Sequence, residues 1–131
     1  MILHAIICYL LTLIADLVTD YRRYLKQQPV NHTRGAWLRA VGLVPAVAFF
    51  SILHGNFYAS LAISAAVMIF FNFWWQFDGL YNKLTGQRWD RIGTTSKLDK
   101  WQQANPLVPM LKYAGALLGL VIYILIYLNL K

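Results

Sequence analysis

Apolar residues run almost unbroken through four stretches of the 131-residue chain, and the polar residues gather between them. The first stretch, ILHAIICYLLTLIADLVTD, is interrupted at steps of four by His4, Cys8, Thr12, Asp16 and Asp20. On an α-helix those five positions form one slowly drifting stripe. The pattern predicts a first helix that continues through Tyr21, Arg22, Arg23, Tyr24, Leu25 and Lys26 until Pro29 stops it. A second apolar span runs from about Ala36 to Leu53. Arg39 lies one turn inside it, able to snorkel to the headgroups, and Pro45 removes one backbone hydrogen bond at its middle.

His54, Gly55 and Asn56 leave room only for a tight turn before Phe57 opens the third span. That span begins with small residues, Ser60, Ala62, Ser64 and Ala66, which let another backbone approach. It ends near Phe77 in a crowd of aromatics matching an interfacial belt. The polar stretch from Asp78 to Ala104 follows, with Gly79, Gly86 and Gly93 as breakers. Ser96-Lys-Leu-Asp99 has the spacing of a capping box and predicts a short helix lying on the membrane. After Asn105-Pro106 the fourth span, Leu107 to Leu128, carries Gly115 and Gly119 as a G-x-x-x-G.

Composition turns these spans into a class. Hydrophobic residues make up 59% of the chain and charged ones 13%, against roughly 25% charged in soluble domains. The expected fold is an all-α integral membrane protein: a four-transmembrane-helix antiparallel bundle with a short interfacial helix before the last span. Its single transmembrane domain covers residues 1–131, with spans at about 1–26, 34–53, 57–78 and 106–128. The N-terminus lacks the basic n-region and small-residue cleavage site of a secretory signal, so the first helix is expected to be retained. One cysteine, Cys8, excludes an internal disulfide, and no Cys/His cluster suits structural zinc.

Charge sets the orientation. Arg22, Arg23, Lys26, Arg34 and Arg39 flank the first connection. Lys83, Arg88, Arg91, Lys97, Lys100 and Lys112 lie in or beside the third, and the second connection has no basic residue. The positive-inside rule places both basic connections in the cytoplasm and both termini of this multi-pass protein on the non-cytoplasmic side. The net charge of +7 then reads as orientation and contact with the lipid bilayer and its anionic headgroups; nucleic acid would need a soluble basic face that this pattern lacks.

Candidate chemistry gathers at the same boundary. Asp16 and Asp20 stand one turn apart on the first helix, and Asp78 and Asn82 share that spacing at the end of the third. Converging, these four oxygen-bearing side chains suit a hard divalent cation such as Mg²⁺, with Asp16, Asp20 and Asp78 as metal ligands. Arg23 or Arg34 would stand beside it to hold a phosphate. The competing reading is that these carboxylates pair with nearby arginines and lysines and fix the helix ends.

Asp78-Gly-Leu-Tyr-Asn-Lys, continued by Gly93 and Asp99, resembles a fragment of the CDP-alcohol phosphotransferase signature, which opens with Asp-Gly, continues to a Gly and closes with two further spaced aspartates. Asn82-Lys83 stands where that family has Ala-Arg, the spacing to Gly93 is one residue longer, and Lys97 occupies the place of the third aspartate. Four spans also fall short of that family's usual six. Membership is not assigned; the likeness implies only an Asp-rich interfacial metal site.

Three classes of function follow. A polar, Asp-rich site at the cytoplasmic interface would bind a divalent metal and a phosphate-bearing lipid or headgroup, and requires Asp16, Asp20 and Asp78 to converge. An ion or proton path along helix 1 requires a wet seam from His4 to Asp20. A structural or assembly protein requires neither, and could use Gly115 and Gly119 within the bundle or in a homo-oligomer.

Overall fold

The computed structural model describes residues 2–29, 32–92, 97–105 and 107–130. Its elements in chain order are α1 (Ile2–Leu25), α2 (His32–Phe50), the strands β1 (Ile52–Leu53) and β2 (Asn56–Phe57), α3 (Ala59–Leu84), α4 (Lys97–Ala104) and α5 (Val108–Asn129). Three helices are long and apolar enough to cross a membrane: α1, α3 and Met110–Asn129 of α5. The 19-residue α2, which includes Arg34 and Arg39, is not among them.

The segment between α2 and α3 is a miniature β-hairpin rather than a bare turn. His54 and Gly55 both take positive φ, 50° and 83°, the signature of a two-residue turn whose twist suits paired strands. Ile52 faces Phe57 and Leu53 faces Asn56 across it. The consequence is a later start for α3, at Ala59 rather than Phe57. At its other end α3 runs on to Leu84, past the expected stop near Asp78, and Gly86 with φ 73° follows it. The surface helix α4 is present, although Gly93 and Ser96 lie outside the described residues and so does the side chain of Asp99.

α1 lies along α2. Asp16 meets Arg39, Thr12 meets Gly42 and His4 meets Phe49, so ascending positions on one helix meet descending positions on the other. α3 and α5 follow the same rule. Asp78 meets Lys112, Trp75 meets Tyr113, Phe71 meets Gly115 and Met68 meets Gly119. α3 also joins the two pairs. Its Phe73 and Phe77 form a core with Leu13 and Leu17 of α1, while Met68 and Ile69 pack with Ala46 of α2.

Glycines set the closest approaches. A Cβ at Gly42 would fall 1.8 Å from Thr12 Oγ1, and one at Gly119 2.7 Å from the backbone nitrogen of Met68. The G-x-x-x-G of the last helix therefore packs inside the chain, against α3. At the end opposite the basic connections, Tyr123 donates its hydroxyl to the carbonyl of Phe50 over 2.9 Å. Leu53, Leu61, Ala65 and Tyr123 close a core there. The outward faces stay apolar, with Leu3, Leu11, Ile14, Ile63, Phe70, Leu117 and Leu125 all exposed.

Candidate functional site

The polar stripe of α1 turns toward α2, because lipid cannot solvate it and α2 offers a groove that Gly42 leaves open. Thr12, Asp16 and Asp20 are buried, while Ile2, Ile6 and Leu10 on the rest of the helix are exposed. Thr12 packs into Gly42 and donates its hydroxyl to the carbonyl of Cys8 at 2.7 Å, so this part of the seam is filled by side chain and satisfied within α1.

One turn further on, Asp16 is 0% exposed. Its Oδ2 accepts a hydrogen bond from Arg39 Nε at 2.6 Å. Its Oδ1 is buried with no hydrogen-bond partner among the described residues, and a Cβ at Gly35 would lie 3.4 Å from it. The guanidinium of Arg39 also lies over the rings of Phe77 and Phe73, with Cζ 4.8 and 5.5 Å from the centroids. A carboxylate on one side and ring faces on the other compensate a cation whose desolvation alone would be costly. The Arg39 side chain nevertheless remains 40% exposed. Among the described residues Arg39 donates one hydrogen bond, from Nε, and its Nη2 lies beside Gly35, 3.4 Å from where a Cβ would stand.

A second pair lies on the other side of α3. Lys112, 7% exposed, donates to Asp78 Oδ2 and sits 4.5 Å from the ring centroid of Trp74. Phe77 and Asp78 are adjacent in sequence, so on a helix they point about 100° apart. One turns to α1 and α2, the other to α5.

That geometry divides the expected set of site residues. Asp16 and Asp20 are both buried, Asp16 against Arg39 and Gly35 of α2, while Asp20, 5% exposed, lies within electrostatic reach of Tyr81 on α3. Asp78 belongs to the α3–α5 side, with Lys112. Asn82 is drawn to the loop, where its amide donates to the carbonyls of Trp89 at 3.1 Å and Arg91 at 2.7 Å. There Trp89 covers Gly79 so closely that a Cβ would fall 2.0 Å from its ring. Arg23 donates to the carbonyl of Pro29 at 2.9 Å and tightens the exit from α1; Arg34 is exposed. Among the described residues no group of three His, Cys, Asp or Glu side chains stands close enough to hold a metal ion.

Arg39 and Lys112 are the two polar residues whose roles the linear reading missed. Their signal is visible in hindsight: each is a cation one turn inside an apolar span, at the depth where the neighbouring helix carries an aspartate. No protein-family model matches this chain, and no curated protein or solved structure is significantly similar to it.

Proposed function

We propose that this chain is a four-span membrane protein that seats on the phosphate-bearing lipid headgroups of the cytoplasmic leaflet, with its buried ion pairs serving as internal staples. In this reading α2 is the fourth crossing helix, the four helices alternate in direction, and both termini lie outside. The opposed order of contacts within each helix pair supports the alternation. Arg39 gives α2 its charge, and pairing with Asp16 removes much of the cost of placing it in lipid.

The observation that carries the reading is the separation of charge at one end of the molecule. Asp16 and Asp20 are buried, whereas Arg22, Lys26, Lys83, Arg91 and Lys100 are exposed at that same end. An outward cationic ring at membrane level attracts anionic headgroups by about 1 kcal/mol per residue. A divalent cation would have to displace Arg39 or Lys112 from its carboxylate, so phosphate is the better partner for this end.

Two measurements test it. In a Cys8→Ser background, a cysteine at Asn56 should be labelled from outside and one at Gln87 should not. Reconstituted in mixed phosphatidylcholine and phosphatidylglycerol, the protein should retain the anionic lipid preferentially at low salt. A variant with Arg22, Lys26, Lys83 and Arg91 changed to Gln should lose that enrichment; equal lipid composition around both proteins would overturn the proposal.

A further inference from the structure

The ring of exposed cations accounts for diffuse attraction to a leaflet, but Arg39 stands apart from it. α2 begins at His32, which puts Arg39 about 10 Å along the helix from its start, at 1.5 Å per residue. A lone arginine at that depth would snorkel outward on a flexible stem. This one is held in place. Asp16 Oδ2 takes its Nε–H at 2.6 Å and the Phe77 ring supports its plane from 4.8 Å. Gly35 lets the backbone of α2 pass both groups closely, since a Cβ there would lie 3.4 Å from Arg39 Nη2 and from Asp16 Oδ1.

A guanidinium presents its five N–H donors in a rigid fork, and one edge of it, Nη1 with Nη2, matches two oxygens of a phosphate. Fixing Nε on a carboxylate orients that edge before any ligand arrives, which lowers the ordering cost of binding. The side chain is 40% exposed and neither Nη donates a hydrogen bond among the described residues, which leaves those donors for a ligand.

We propose that Arg39, oriented by Asp16 and Phe77, is a discrete binding site for one phosphate group at the cytoplasmic membrane boundary. Asp16 is the positioning residue: it holds Arg39 and does not touch the ligand, being fully buried. The phosphate belongs to a lipid headgroup or is free in the cytoplasm; both offer the same oxygens. This inference rests on the interfacial placement proposed above, yet it concerns a short-range contact rather than the diffuse ring.

The test is a thermal melt of the full chain in uncharged detergent at about 0.5 M salt, where attraction beyond about 4–5 Å is screened. Added probes are dihexanoyl phosphatidic acid, dihexanoyl phosphatidylcholine and inorganic phosphate. Phosphatidic acid should raise the melting midpoint saturably and phosphatidylcholine should raise it far less. A rise with inorganic phosphate as well assigns the free anion as a ligand; silence there assigns the lipid.

Arg39→Gln alone leaves Asp16 buried without its cation and can fail to fold, so the decisive variant is Asp16→Asn with Arg39→Gln, which removes both charges. Its melt should show no phosphate response. Asp16→Asn alone should keep a response that saturates at several-fold higher probe concentration. No response in the unaltered protein, or an equal one in the double variant, overturns the site. The ring variant with four Gln should keep the response at high salt while losing enrichment at low salt, which separates failure of this site from failure of the ring.

Discussion

Asp16 shows how a charge is tolerated inside an apolar helix. Its oxygen Oδ2 is satisfied by Arg39, while Oδ1 depends on the field of the same cation without a hydrogen bond of its own. Removing one member of such a pair strands the other, whereas removing both leaves only polar amides to bury. Arg39→Gln should therefore lower unfolding free energy by about 3–5 kcal/mol, measured by denaturation in mixed detergent. The added Asp16→Asn change should recover most of that loss. Mg²⁺, Mn²⁺ or Ca²⁺ should leave the melt of the unaltered protein unchanged at constant ionic strength. A metal-dependent rise abolished by Asp16→Asn would support the cation reading instead.

At the scale of elements, two glycines one turn apart on α5 make different demands. A Cβ at Gly115 meets the Phe71 ring, which is half-buried and can turn aside; a Cβ at Gly119 meets the backbone of Met68, which cannot. Gly119→Ala should destabilise by about 1–3 kcal/mol and Gly115→Ala by less, following the usual cost of overpacking. Equal losses would mean that α3 and α5 separate rigidly.

The same contrast explains what could be read in the chain beforehand. The step-of-four stripe from His4 to Asp20 and the apolar runs are local patterns, and the all-α architecture with three helices long and apolar enough to cross a membrane follows from them. The burial of Thr12, Asp16 and Asp20 was legible too, because their polarity required cover, whereas His4 at the far end of the stripe is exposed. Partner choice was not. Whether Asp16 meets Asp78 or Arg39 depends on which face of α3 turns inward, and that follows from Phe73 and Phe77 packing on Leu13 and Leu17. Nor were the partners of Asp78 and Asn82 at the end of α3: Lys112 takes the one and two loop carbonyls the other, where convergence on Asp16 and Asp20 was expected.

Over the whole molecule, the two ion pairs that join helices among the described residues each lie within one half of the chain. Asp16 and Arg39 precede the hairpin turn at Gly55, and Asp78 and Lys112 follow it. What crosses between the halves near the pairs is mostly apolar packing of α3 on α1 and α2, with Arg39 over the two rings. The chain cut after Gly55 should therefore reassemble. A tagged 1–55 fragment co-expressed with 56–131 should retain its partner through detergent purification, and Phe73→Ala with Phe77→Ala should release it. Independent elution of the two unaltered pieces would show that the covalent link, rather than the packing, holds them together.

The division of the ion pairs also bears on how the protein is made. When α1 first leaves the ribosome it carries Asp16 with no arginine to match, and it meets lipid at a disadvantage of a few kcal/mol. Arg39 is synthesised 23 residues later, as the eighth of the 19 residues of α2. On the four-span reading proposed above, α1 is thus expected to wait at the insertion machinery and enter the bilayer together with α2, as a neutralised hairpin.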